Sequence, residues 1–149
     1  GFRMVMGSDG SRASSMECPS RTNDNFLTGR KPEAGFTTMD GQEIFRFAVK
    51  KVPECVEELL EKNGEDRGDI KYFVLHQANY RIVEAIAKRM KLPIERFPMD
   101  IDRYGNTSGA TIPILLDELN RDGKLVRGDK IVLAGFGAGL TWGASLLEW

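Results

Sequence analysis

The stretch Ile70-Lys71-Tyr72-Phe73-Val74-Leu75-His76-Gln77-Ala78-Asn79 decides how this chain is read. Ile70 to Leu75 is a short apolar run of strand length, the pattern of a buried strand. From Asn79 to Met90 the period changes: Ile82, Val83, Ile86 and Met90 recur at helical spacing, with Glu84 and Lys88 as an outward pair. A strand therefore runs through a turn into a helix, and the chain's only histidine, His76, stands in that turn.

Two further turns follow the same plan. Tyr104-Gly105-Asn106-Thr107-Ser108 places a carboxamide in a glycine-bearing turn before a helix expected over 108–120. Pro113 sets the regular part of that helix near residue 112. Gly135-Phe136-Gly137-Ala138-Gly139 is a turn with few side chains, between strands expected at 130–134 and 140–148. Residues 94–102 read as short and extended.

Upstream, Phe45, Ala48, Val49, Val52, Val56, Leu59 and Leu60 mark an amphipathic helix. Asp40 is its expected N-cap, Glu43 completes a capping-box signal, Pro53 predicts a kink and Asn63-Gly64 a stop. The chain opens on a strand-like run at 2–7 with Phe2, Met4 and Met6 on one face. A long polar loop over 7–35 follows, of a length usually reserved for function or docking. The order strand, helix, strand, helix, helix, strand, strand predicts an α/β fold, a mixed β-sheet covered by α-helices, with no internal repeat.

Composition bounds the rest. The 149 residues make one domain-sized unit, and 41% hydrophobic with 29% charged residues is ordinary for a globular protein. A net charge of −1 excludes global attraction to nucleic acid or an anionic membrane, and no apolar run approaches the ~20 residues of a membrane span. Cys18 and Cys55, in dissimilar contexts, do not form a disulfide framework, which favours a reducing, cytoplasmic setting. Opening at Gly1 on a strand, the chain reads as part of a longer protein. No metal-ligand cluster or cofactor motif is expected.

The three turns lie where open α/β sheets bind ligands, at the rim beyond the strand ends. A histidine and an asparagine placed there can donate two hydrogen bonds to one oxygen, the equipment for stabilising an oxyanion or enolate. The glycine turn can offer backbone N–H groups to the same space. Each part has a plainer reading: a structural histidine, ordinary Asn-Gly turn chemistry, and a hairpin. Their conjunction is what points to half of an active site.

These residues resemble a known family. His76-Gln77-Ala78-Asn79, Tyr104-Gly105-Asn106-Thr107-Ser108 and Gly135-Phe136-Gly137-Ala138-Gly139-Leu140-Thr141-Trp142-Gly143 are similar to the C-terminal half of the 3-oxoacyl-(acyl-carrier-protein) synthase III family, which has a thiolase fold. The likeness runs from about Ser8 to Trp149, and Asp9-Gly10-Ser11 and Met39-Asp40-Gly41-Gln42-Glu43-Ile44-Phe45 share it. It implies a condensing enzyme that starts fatty-acid synthesis with a cysteine, a histidine and an asparagine. The nucleophilic cysteine belongs to an N-terminal half, and neither Cys18 nor Cys55 takes its place.

By this resemblance His76 and Asn106 are the catalytic pair, and the Ala138 backbone N–H is an oxyanion donor. Gly41, Gln42, Phe45, Ala48, Ala78, Asn79 and Ile82 would line the channel for the pantetheine arm of coenzyme A. Arg46, Arg81, Lys88 and Arg89 would dock the acidic acyl carrier protein, although from sequence alone a solvated helix face is the favoured reading. The implied substrate is a coenzyme A thioester, with no covalently bound cofactor, and the implied assembly is a homodimer. Two rivals stay open. One is a stand-alone coenzyme A or carrier-protein binding module. The other is a cysteine hydrolase using Cys18, His76 and Asn106, weakened because Cys18 has no activating helix end or cation beside it in sequence.

Overall fold

The computed structural model of the chain describes residues 3–18, 26–29 and 35–149. A four-stranded sheet forms its centre. β4 (Ile70–Leu75) pairs parallel with β5 (Lys130–Gly137), and β6 (Thr141–Glu148) lies antiparallel between β5 and β1 (Met4–Ser8). A small second ribbon joins β2 (Met16–Glu17) to β3 (Thr38–Met39). It falls inside and just beyond the stretch expected to be loop, which also holds a 3₁₀ turn at Gly10–Ser15. Residues 19–25 and 30–34 of the expected 7–35 loop, and Phe2 of the expected first strand, lie outside the described residues.

One face of the sheet is covered by α1 (Gly41–Asn63) and α2 (Tyr80–Met90). Their apolar stripes meet Phe73, Leu75, Val132, Ala134, Ala144 and Leu146 in the main core. On α2, Ile82, Val83, Ile86 and Met90 are all buried, as the periodicity predicts. The outward Glu84 is turned to the Tyr80 hydroxyl, not to Lys88. On α1, Ala48, Val52, Val56, Leu59 and Leu60 are buried as expected and Val49 is half-buried, but at the start of the helix Ile44 and Phe47 are buried and Phe45 is exposed. The cause is a side cluster in which Ile44 and Phe47 pack on Leu140 and Trp142, a partner that helical periodicity cannot show.

Local signals set the ends of α1. The Asp40 carboxylate accepts the Glu43 N–H at 2.9 Å, and Gly64 closes the helix in the left-handed region. Only half of the capping box forms, because Glu43 bonds Arg12 and Arg46 instead of returning to the cap. Pro53 is buried within the helix, which continues through it to Asn63.

The other face of the sheet is covered in part. α4 (Thr111–Arg121) lays Leu115 and Leu119 against Val74 and Ile131, under β4 and β5. Under β1 and β6 no element among the described residues covers the face. There Met4, Met6, Leu133 and Ala144 line a shallow apolar groove of about 190 Å³. Met4 and Met6 therefore do share a face, but it is the exposed one, and Val5 is the core residue of β1. Residues 94–102 are not extended: a 3₁₀ turn at Ile94–Arg96 and the short α3 (Ile101–Tyr104) carry the chain to the second turn.

Candidate active site

β4 and β5 run parallel, with Leu75 beside Ala134 and β5 continuing to Gly137, so the segments that follow them open at the same edge of the sheet. A cleft of about 340 Å³ lies there, lined by His76, Asn106, Ser108, Gly109, Thr111, Gly135, Phe136 and Gly137, with Met16 and Ile112 at its margin. The His76 and Asn106 turns thus meet in one space, whereas the third expected turn reaches it only through Gly135, Phe136 and Gly137, which belong to β5 and pair with β6, the turn itself being shorter than expected.

His76 continues the β4 ladder, its backbone N–H donating to Ala134 O at 2.8 Å. Its ring stands edge-on to Phe136, with centroids 5.6 Å apart, and its Nδ1 is 2.7 Å from Thr111 Oγ1. Burial disfavours the imidazolium and holds the pKa below the ordinary 6.5, so the ring is neutral at neutral pH. Nδ1 being engaged, Nε2 is the nitrogen left to serve the cleft.

Asn106 is fixed differently. Its Oδ1 accepts the Ser108 backbone N–H at 2.9 Å, closing a turn of the kind that favours asparagine. Only an oxygen can accept that bond, so the side-chain orientation is determined and the Nδ2 amino group is the free end. The turn is shaped by Gly105 (φ 67°, ψ −161°), a conformation that suits only glycine, and by Ser108, which holds φ 55° at the cleft wall.

Three sets of contacts brace these two turns, two of them joining one turn to the other. Fully buried Gln77 donates from Nε2 to Leu75 O at 2.8 Å and accepts the Asp100 N–H at 3.3 Å, tying the end of β4 to the approach to α3. The Arg103 guanidinium and the Tyr104 hydroxyl both bind Glu118, tying α3 to α4. The third is the His76–Thr111 contact. Asp100 is buried with Oδ2 unpartnered, and burial, with Glu118 nearby, pushes its carboxyl above the usual range. Sequence reading missed Gln77 and Thr111. A buried polar residue leaves no periodic signal and shows itself only through its partners.

The other expected site residues are distributed unevenly. Ala138 sits at the tip of the β5–β6 turn and is not among the cleft-lining residues; its carbonyl accepts the Thr141 hydroxyl. Gly41, Gln42 and Phe45 are exposed on the first turn of α1, and Ala78 is half-buried beside the core. Ala48 and Ile82 are buried in the core, so helix packing accounts for both. Asn79 caps α2, its Oδ1 accepting the Arg81 N–H at 2.8 Å. Arg81, Lys88 and Arg89 are exposed on α2, while exposed Arg46 is paired with Glu43 at 3.1 Å. Cys18 accepts the Thr37 hydroxyl and does not line the cleft, and Cys55 is buried in α1 with its thiol pushed up to about 11 by desolvation. The hydrolase reading is therefore not assembled. Among the described residues no group of His, Cys, Asp or Glu is arranged to hold a metal, and no helix is long and apolar enough to cross a membrane.

Comparison with known proteins agrees with this geometry. Residues 60–149 match the family model described as 3-oxoacyl-[acyl-carrier-protein (ACP)] synthase III C terminal. A beta-ketoacyl-[acyl-carrier-protein] synthase III of Clostridium acetobutylicum is 45% identical over 149 residues, covering 99% of this chain and 46% of the relative. The crystal structure of a synthase III from Thermus thermophilus superposes with a TM-score of 0.88 at 41% identity, over 100% of this chain and 46% of that one. One from Pseudomonas aeruginosa gives 0.85 at 37%, over 98% and 43%. The chain spans less than half the length of these relatives. With its mixed sheet, its covering helices and a matched segment that carries His76, Asn106 and the glycine turn, the chain belongs to the 3-oxoacyl-(acyl-carrier-protein) synthase III C-terminal family.

Proposed function

We propose that this chain is the C-terminal catalytic half, residues 1–149, of a condensing enzyme that starts fatty-acid synthesis. The intact enzyme joins an acyl group from acyl-coenzyme A to malonyl-acyl carrier protein by decarboxylative Claisen condensation, giving 3-oxoacyl-carrier protein. The observation that carries this reading is the cleft shared by a neutral imidazole and a carboxamide whose NH₂ is its free end.

An N-terminal half supplies a cysteine thiolate, which takes the acyl group and releases coenzyme A. Malonyl thioester then enters the cleft with its thioester oxygen between His76 and Asn106. The bond from the malonyl carbon to its carboxylate breaks, CO₂ leaves, and the electron pair becomes an enolate whose charge lies on that oxygen. Hydrogen bonds from the imidazole and from Asn106 Nδ2 strengthen as the charge develops, so they lower the barrier more than they stabilise bound substrate. The enolate carbon attacks the acyl-cysteine carbonyl and the thiolate leaves. The Ala138 backbone N–H is assigned to the oxyanion of that second step.

Gly41, Gln42, Phe45, Ala78 and Asn79 are assigned to the pantetheine arm, and Arg46, Arg81, Lys88 and Arg89 to the carrier protein; Ala48 and Ile82 shape the channel from behind. The thioesters are substrates, and no covalently bound cofactor enters the scheme. The open face bearing Met4, Met6 and Leu133 supports the presence of a second half, because water on that surface is costly and packing removes it. The enzyme is a cytoplasmic homodimer in this reading, and the fragment alone is inactive. A binding module without catalysis is the rival. In a protein that joins this chain to its cysteine half, His76→Ala should abolish malonyl decarboxylation while the cysteine is still acylated. Decarboxylation at the unaltered rate sinks the assignment.

A further inference from the structure

Enolate stabilisation requires a proton on the imidazole nitrogen that faces the cleft. A neutral imidazole has one N–H, and its place is decided by the partner of the other nitrogen. At His76 that partner is Thr111, the first residue of α4, which is buried with 2% of its surface exposed.

The Thr111 hydroxyl has one proton and two acceptors in reach: His76 Nδ1 at 2.7 Å and Ser108 O at 3.1 Å. If the proton goes to Ser108 O, the ring must carry its own proton on Nδ1, and a bare Nε2 lone pair faces the cleft. That site is a general base. If the proton goes to Nδ1, the ring proton is on Nε2 and the site is a donor. The shorter contact to Nδ1 favours the second arrangement. Hydroxyl donors sit about 2.5–3.0 Å from an oxygen acceptor, most often near 2.7–2.8 Å, whereas N–H donors centre near 2.9–3.0 Å. The contact to Nδ1 is the shorter of the two, at 2.7 Å within the O–H donor range, whereas the carbonyl stands at 3.1 Å. Ser108 O also has another donor, the Thr111 backbone N–H, so it is not orphaned when the hydroxyl turns away.

We propose that Thr111 is a positioning residue that donates its hydroxyl proton to His76 Nδ1 and thereby fixes the His76 proton on Nε2, making the cleft an oxyanion binder instead of a base. Thr111 touches no substrate. The inference rests on the enolate reading for its purpose, but the tautomer itself is a property of this chain without substrate.

His76 is the chain's only histidine, so a long-range ¹H–¹⁵N spectrum of the 149-residue chain contains one imidazole. At pH 8, above the His76 pKa, the expected spectrum shows Nε2 protonated and Nδ1 as the bare nitrogen. Thr111→Val, nearly isosteric without the hydroxyl, should move the ring toward Nδ1–H or a mixture, and Thr111→Ser should restore the original pattern. A protonated Nδ1 in the unaltered chain overturns the proposal even if Thr111→Val does not fold, and so does an unchanged ring in a folded Thr111→Val chain. In the protein completed by its cysteine half, Thr111→Val should lower decarboxylation about 10- to 100-fold, the scale of losing a partner that orients a functional histidine. Cysteine acylation should be unchanged, and Thr111→Ser should recover the rate. An Nε2–H ring with no decarboxylation in the unaltered enzyme sinks the enolate reading alone; decarboxylation with an Nδ1–H ring sinks this proposal alone.

Discussion

The Asn106 side-chain oxygen and the Ser108 backbone N–H are 2.9 Å apart, and this bond commits one end of the amide to holding the turn. The other end, an NH₂ donor, is presented to the cleft that His76 shares. Folding and chemistry thus use different atoms of one side chain.

Asn106→Asp separates the two uses. The carboxylate keeps the oxygen that accepts from Ser108, so the turn and the melting temperature should change little. The cleft then gains a negative charge where a donor stood. Decarboxylation of malonyl thioester in the completed enzyme should fall by about 10²–10³-fold, the usual loss for one oxyanion donor. A variant within threefold of the original rate would show that Asn106 serves the turn only.

Gly7 and Trp142 define a stability test away from the site. They are register partners in the β1–β6 ladder, and a Cβ at Gly7 would lie 2.4 Å from the Trp142 ring. The indole has little freedom to retreat, because it packs edge-on against Phe47 at 5.8 Å and under the Lys51 ammonium at 5.1 Å. Gly7→Ala should therefore destabilise by about 1–3 kcal/mol, as overpacked sites do, read as a lower urea midpoint at unchanged m-value. An unaltered midpoint would mean that β1 is not paired on β6 in solution.

What the sequence made legible depends on whether a residue's role is local. The α2 stripe, the Asp40 and Gly64 caps and the strand ahead of His76 rest on short-range pattern, and the fold bears them out. Phe45 and Phe47 exchanged roles because Leu140 and Trp142, far away in sequence, decide which face of α1 is dry. Met4 and Met6 alternate as a strand should, but alternation does not say which face is covered. Residues 94–102 form turns too short to show any period. That His76 and Asn106 share one cleft was readable because the motifs around them are distinctive. Gln77 and Thr111 were not, since a buried polar side chain looks like a surface one until its partners are in place.

His76 also makes stability depend on pH in a direction fixed by its burial. Its folded-state pKa is depressed below 6.5 by desolvation. As pH falls through 6.5 the unfolded chain takes up a proton first, so stability declines across this window and levels off below the folded-state pKa. Asp100, whose carboxyl is raised chiefly by burial, works the other way and gains stability toward acid. Comparing His76→Gln with the unaltered chain cancels that second effect. Urea midpoints at pH 7.5 and 5.5 should fall further in the unaltered chain than in the variant. Equal or reversed slopes would place the imidazole in water.

Arg81 tests the proposed carrier-protein surface. It is exposed at the start of α2, and the Asn79 cap holds its backbone N–H, not its side chain. A negative charge at a helix N-terminus is favourable, so Arg81→Glu should leave α2 intact or slightly steadier. Any loss of activity then belongs to the surface charge and not to unfolding. In the completed enzyme the variant should use carrier-linked malonyl thioester roughly tenfold less efficiently at low salt, the modest end of electrostatic steering. The deficit should shrink as ionic strength rises and screens the docking field. The rate with malonyl-coenzyme A, which carries no acidic protein, should be unchanged. Equal kcat/KM for the carrier-linked substrate across the salt series would return Arg81 to the status of a solvated helix residue.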